Sequence, residues 1–281
     1  MIYQSEKTVA GNVKTYRVGI GGLGAIGLKV AERLDQGIPG LELAAVSARN
    51  RAAAAERMGA FREAPPVVGL EELAALADVV VECAPAAVFD EVAEPAVDAG
   101  RIFMPLSCGV LLARPQLEDR AAAAGARIIV PTGALVGFDA VRAAAEGGIN
   151  TVTMKTEKPP HGLSGAPYLV EHGIDVRDLD APLKVFDGTA REAAKGFPAN
   201  VNVAAALSMA GIGADETTIE IWADPAQTRN KHTITVDATS TRFTMVIEGI
   251  PSPENPATGL LTPLSVIATL RGLTSTLHVG S

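Results

Sequence analysis

Four short stretches of the chain carry residue types suited to chemistry. His232 follows Asn230-Lys231 and begins a run of alternating character, bringing an imidazole that can take up and release a proton near neutral pH; the alternative is a structural histidine satisfied by backbone partners. The other histidines, His161, His172 and His278, lie in loop-like or terminal sequence. Lys158, before Pro159-Pro160, and Lys231, beside His232, each offer a cation for a small anionic ligand; the alternative for both is a solvated surface charge. Gly196-Phe197-Pro198-Ala199-Asn200-Val201-Asn202 opens a predicted helix over Ala199–Ala210 with two amides. In a regular helix Asn200 and Asn202 point about 200° apart, so only one faces a given ligand unless the helix begins between them. Asn200 also suits a helix cap.

The fourth stretch is the most patterned. Arg17–Gly21 reads as a strand that runs into Gly22-Leu23-Gly24-Ala25-Ile26-Gly27, a G-x-G-x-x-G turn opening a helix over 28–34. Gly22 permits the tight turn, Gly24 lets a pyrophosphate approach the backbone, and Gly27 lets helix and strand pack closely. The free N–H groups and positive dipole end of the helix favour an anion there. The overlapping frame Gly19–Gly24 puts the turn where strand hydrogen bonds belong, so the later frame is preferred. A second strand, Leu41–Val46, follows at the spacing of a dinucleotide-binding βαβ unit.

An acid at the end of that second strand would accept from a ribose 2′-hydroxyl and repel a 2′-phosphate. The chain instead reads Val46-Ser47-Ala48-Arg49-Asn50-Arg51, in which Ser47 offers a hydroxyl and Arg49 can pair a phosphate bidentately. The expectation is that NADP is accepted, with NAD as the other candidate. The alternative leaves Arg49 and Arg51 as solvated charges at a helix start.

The elements that must position these groups follow from the alternation of apolar runs. Helix-like 48–59 and 71–77 alternate with strand-like apolar runs, of which 78–83 is the clearest; with helix 86–99, strand 101–106, helix 115–124 and strand 127–130 they predict an α/β, Rossmann-type doubly wound parallel sheet of six strands. Ligands on such sheets bind beyond the strands' carboxyl ends. Ala84-Pro85, Ser107-Cys108-Gly109 and Pro131-Thr132-Gly133-Ala134 are therefore placed near the nucleotide, though each is also ordinary turn sequence. After a helix over 137–146 the pattern changes to period-two runs: 151–158, 217–223, 232–238 and 241–248. These predict a second, α+β domain with a mostly antiparallel sheet and one strong helix. A closing helix over 262–273, introduced by Pro/Gly-rich 251–259, returns the chain to the first domain. The expected organisation is an extension over 1–15, a dinucleotide-binding domain over 16–133 completed by 256–281, and a catalytic and dimerisation domain over 134–255.

With 281 residues, 48% hydrophobic and 20% charged, the chain has the composition of a globular protein with a sizeable core. A net charge of −8 argues against nucleic acid or an anionic membrane as the main partner. Apolar runs fall short of the roughly 18 residues that span a bilayer. Cys83 and Cys108 have no metal-ligand spacing, and the first residues lack the apolar core of a signal peptide, so a cytoplasmic location and no bound metal are expected.

Six stretches together resemble one enzyme family over nearly the whole chain: 20–27 (IGGLGAIG), 131–144 (PTGALVGFDAVRAA), 158–160 (KPP), 197–215 (FPANVNVAAALSMAGIGAD), 223–232 (ADPAQTRNKH) and 255–259 (NPATG). They are similar to the signature stretches of L-aspartate dehydrogenases. The resemblance implies reversible NAD(P)-dependent oxidative deamination of aspartate to iminosuccinate, which hydrolyses to oxaloacetate and ammonia. It also implies a homodimer of two-domain chains. The family's active-site histidine falls on His232, its cofactor-contacting alanine on Ala134, and its cofactor-contacting asparagine on Asn200 or Asn202. Lys158 and Lys231 are the candidates for the substrate carboxylates. The chain departs from the family in its N-terminal extension and around Ser47-Ala48-Arg49, where many relatives have an acid nearby.

Overall fold

The structure is a computed structural model describing residues 14–198, 201–255 and 258–280. The first half alternates as β1 (Tyr16–Gly21), α1 (Ala25–Asp35), β2 (Leu41–Ser47), α2 (Arg51–Arg57), β3 (Val67–Val68), α3 (Leu73–Leu76), β4 (Val79–Glu82), α4 (Phe89–Asp98), β5 (Ile102–Pro105), α5 (Cys108–Leu112), α6 (Gln116–Ala124) and β6 (Arg127–Ile128). Its strands form one six-stranded sheet in the order β3-β2-β1-β4-β5-β6, with parallel pairing recorded for β1–β2, β1–β4, β2–β3 and β5–β6. That is the doubly wound order, and its direction reverses between β1 and β4. Val18, Ile20, Val46, Val79, Val80 and Val81 are fully buried, as expected of strands covered on both faces. Helices α2, α3, α4 and α6 are shorter than their patterns, whereas α1 extends beyond the predicted 28–34 at both ends. Asn50 caps α2 by accepting from the Ala53 N–H at 3.0 Å, so that helix starts at Arg51 rather than 48.

The second half runs α7 (Phe138–Glu146), β7 (Ile149–Lys158), α8 (Pro167–Glu171), β8 (Leu183–Thr189), α9 (Ala190–Gly196), α10 (Asn202–Ala210), β9 (Thr217–Ala223), β10 (Lys231–Ala238), β11 (Arg242–Glu248) and α11 (Leu261–Gly272). Its five-stranded sheet has the order β11-β10-β7-β9-β8. The α+β class holds, and the sheet is mostly antiparallel as expected: β11–β10, β10–β7 and β9–β8 pair antiparallel, and β7–β9 pair parallel. One correction is needed, since β8 and α9 were not foreseen. Thr189 and Glu192 form a reciprocal capping box that starts α9, a local signal hidden in a stretch without clear periodicity.

Two compact units result among the described residues: 14–104 with Arg120–Ile129 and Val266–Val279, and Pro105–Asp119 with Val130–Ser265. Pro105–Asp119, which the alternation assigns to the first domain, groups with the second because α5 packs on α10. A Cβ on Gly109 would fall 2.5 Å from the Val201 side chain, so this approach depends on glycine. The second sheet's inner face follows its period of two. Val152, Met154, Ile219, Ile221, Ile234 and Val236 fill the core there.

Candidate active site

In the first unit the glycine-rich turn leaves β1 beside the point where the strand order reverses. Gly22 sits at φ +100°, a left-handed conformation, and a Cβ there would lie 2.6 Å from the Cys83 carbonyl oxygen. Gly22 N–H donates to the Ser47 carbonyl at 2.9 Å, and Cys83 N–H donates to the Gly21 carbonyl at 2.7 Å. The turn is thus clamped between the ends of β2 and β4. A Cβ on Gly27 would fall 1.9 Å from the Gly22 carbonyl oxygen, whereas one on Gly24 would meet nothing within 4 Å. Packing therefore requires glycine at 22 and 27 but not at 24, where the backbone faces open space. Gly24 is the N-cap of α1 without a side-chain cap bond, and the helix's first turn holds no acid. A bare helix start of this kind fits a nucleotide pyrophosphate. Leu23 turns its side chain into the core, Ala25 and Ile26 are half-buried, and Ala84 and Pro85 follow β4 beside the turn.

At the end of β2, Ser47 is buried while Arg49 and Arg51 are exposed. A residue outside the sequence expectations also reaches this region. Arg57, at the end of α2, donates from Nη1 to the Leu23 carbonyl at 2.8 Å and so braces the glycine turn. Nothing in its sequence position distinguishes it from a solvated helix charge. Glu82, fully buried, pairs in register with Gly21; burial, and then the Glu82 charge, push the Cys83 thiol well above its usual range.

In the second unit the inner face of the sheet turns polar toward the carboxyl end of β7. His232 on β10 lies in register with Thr156 on β7, and Lys158 follows two residues on, so the three share one face. Their relative exposures are 4, 4 and 6%. Nδ1 of His232 is 3.0 Å from the Thr156 hydroxyl. Burial and then the nearby Lys158 charge push the imidazole down to about 4, and burial lowers the Lys158 ammonium to about 8. At neutral pH the ring is neutral and the lysine largely charged. Thr156 and Lys158 also line a small cavity of about 10 Å³, with Met154, Phe197, Val201 and Ile221 among its other walls.

Lys231 does not join this group. Strand alternation turns it to the opposite face from His232, where its ammonium lies 3.6 Å from the Glu157 carboxylate. Asp224 is buried, but its carboxylate is turned into its own loop, accepting from Ala226 N–H and Gln227 Nε2. Asn202 is the first residue of α10, and its Oδ1 accepts from Gly109 N–H at 3.0 Å, tying α5 to α10. Asn200 lies outside the described residues. Ala134 is half-buried in a turn closed by Leu135 N–H to the Thr132 carbonyl, and the N–H of its neighbour Gly133 donates to Ser265 Oγ at 3.0 Å. Thr156 was missed, although the alternation Val152, Met154, Thr156, Lys158 already put it on the lysine's face.

Residues 22–131 match the family model described as homoserine dehydrogenase, NAD binding domain, and residues 139–273 match that described as aspartate dehydrogenase, C-terminal. An L-aspartate dehydrogenase of Bradyrhizobium diazoefficiens is 55% identical over 94% of both chains. The chain belongs to the L-aspartate dehydrogenase family. L-aspartate dehydrogenase 3 of Bordetella bronchiseptica is 49% identical over 94% of this chain and 97% of its own. The crystal structure of aspartate dehydrogenase from Thermotoga maritima superposes with a TM-score of 0.73 at 26% identity, covering 94% of this chain and 99% of that one. Family membership covers both units, and no helix among the described residues is long and apolar enough to cross a membrane.

Proposed function

We propose that the protein is an L-aspartate dehydrogenase, catalysing the reversible NAD(P)-dependent oxidative deamination of L-aspartate to iminosuccinate, which hydrolyses to oxaloacetate and ammonia. The observation that carries the reading is the buried triplet His232, Thr156 and Lys158, a neutral base beside a cation, in a chain of this family. When bound, the nicotinamide cofactor supplies the hydride acceptor or donor.

Residues Gly22 to Gly27 would hold the cofactor's pyrophosphate, Ser47 and Arg49 its adenosine ribose, and Ala84 and Pro85 the adjoining backbone. The family resemblance adds Ala134 and the Asn200–Asn202 stretch. Loss of hydride from the α-carbon needs the amine's lone pair, so the substrate ammonium must first lose a proton. His232, neutral at working pH, takes that proton and returns it in the aminating direction. Lys158 provides the cation for a substrate carboxylate. The substrate's negative charges oppose the burial penalty on both groups and raise both pKa values, so substrate binding readies the ring to hold the proton it receives. The absence of an acid at the end of β2 supports use of NADP as well as NAD.

The proposed division of labour assigns the dinucleotide to residues 16–133 with 256–281 and the dicarboxylate to 134–255. A homodimer and a cytoplasmic location complete the proposal; neither Cys83 nor Cys108 forms a disulfide, which suits a reducing compartment. The test is reduced-cofactor absorbance with L-aspartate, and with oxaloacetate plus ammonium, using both cofactors, and malate, homoserine and glutamate as competitors. Aspartate-dependent turnover supports the assignment; cofactor binding with no turnover of aspartate refutes it.

A further inference from the structure

His232 and Thr156 face each other across β10 and β7, and the 3.0 Å contact between Nδ1 and Oγ1 is the only side-chain hydrogen bond that either makes among the described residues. We propose that Thr156 is the positioning residue of His232: its hydroxyl oxygen accepts the Nδ1–H and so leaves Nε2 as the nitrogen that gains and loses the proton. This deepens the acid/base assignment of His232 and rests on it.

A threonine hydroxyl can donate to Nδ1 or accept from it. If it donated, the ring proton would sit on Nε2, and protonating the ring would break the bond, because an imidazolium carries N–H at both positions. If it accepts, the same bond serves the neutral ring and the cation without rearrangement. Only the second sense suits a group that cycles between the two forms in a buried place where reorganisation is costly.

The charges around the ring make this neutral acceptor the controlling partner. Lys158 shares the ring's face. Lys231 and Glu157, adjacent in sequence to His232 and Thr156, project to the other face, as does Glu248, the register partner of Lys231. Asp139, Arg142 and Glu146 of α7, which packs on β10, are exposed, and α10 carries no charged residue. A carboxylate at position 156 would hold the ring as a cation. A hydroxyl fixes the tautomer and leaves the ring neutral until substrate arrives.

The test compares Thr156→Val, which removes the hydroxyl at similar volume, with Thr156→Ser, which keeps it. The valine variant is expected to lose about tenfold in kcat with little change in KM for the cofactor. The acid limb of its pH profile should move to lower pH, because the imidazolium loses its acceptor; the serine variant should restore both. Nitrogen NMR of histidine-labelled wild-type protein should show His232 as the Nδ1–H tautomer. A wild-type ring protonated at Nε2 overturns the inference without reliance on any variant. Unchanged kcat and pH profile in the valine variant, with His232→Ala inactive, also overturns it while sparing the acid/base role. An active His232→Ala would remove that role itself.

Discussion

The carbonyl oxygen of Gly22 lies 1.9 Å from where a Cβ on Gly27 would sit, so α1 rests directly on the turn that precedes it. Gly24, between them, has open space around the same construction. Two glycines of the motif serve the fold, and the third is the one the proposed function assigns to the ligand.

Substitution should separate the two roles. Gly24→Ala is expected to fold with near-normal thermal stability but to raise KM for the cofactor roughly tenfold or more, since its methyl occupies the pyrophosphate's approach. Gly27→Ala should instead destabilise the fold by at least about 1–3 kcal/mol. Thermal melts and cofactor titrations of the pair distinguish these outcomes; equal loss of stability in both variants would refute the division.

The proposed use of NADP turns on Arg49. It is exposed and, among the described residues, in no ion pair, so it is available to a phosphate. Arg49→Ala should cost about tenfold or more in kcat/KM for NADPH and little for NADH. A strong NADH preference that the substitution leaves untouched would contradict the phosphate role. Arg57→Ala, which removes the brace on Leu23, should weaken both cofactors alike.

Buried His232 also ties stability to pH. The unfolded chain binds a proton at this residue near the usual 6.5, the folded chain only near 4. Between those values the unfolded state holds more protons, so stability falls as pH is lowered through the window, by on the order of 3 kcal/mol at most. Lys158, lowered from 10.5 to about 8, has the same sign at higher pH, stability rising between those two values. Denaturant melts of wild type and His232→Gln from pH 7 to pH 4 should converge as the wild type loses its advantage. Parallel curves would show that the ring is not held neutral by the fold.

Lys158 is expected to act on substrate rather than cofactor. Lys158→Met should raise KM for L-aspartate roughly 30-fold or more, as for loss of one partner in a buried charge pair, with KM for the cofactor little changed. Steady-state kinetics with each substrate varied in turn decide this; a cofactor effect alone would reassign the lysine.

Much of this was legible in residue order because local rules governed it. The βαβ spacing around Gly22 to Gly27 exposed the first sheet, and period-two runs exposed most strands of the second. His232 and Lys158 stood out by type and by their place at strand ends. Pairing across strands was not legible. That His232 opposes Thr156, and that Lys231 turns away from both, follows from a register joining residues 76 positions apart in the first case, which no local pattern fixes. Asn202 illustrates the same limit. Its type suggested ligand contact, but its side-chain oxygen is held by Gly109, 93 positions away.

The most direct measurement is the turnover of L-aspartate by His232→Ala, with the variant's fold checked by circular dichroism and its cofactor affinity by titration. Turnover should drop on the order of 10²–10⁴-fold while the fold and cofactor binding persist. A folded, cofactor-competent variant that deaminates aspartate at close to the wild-type rate would contradict the assignment of the proton transfer to this residue.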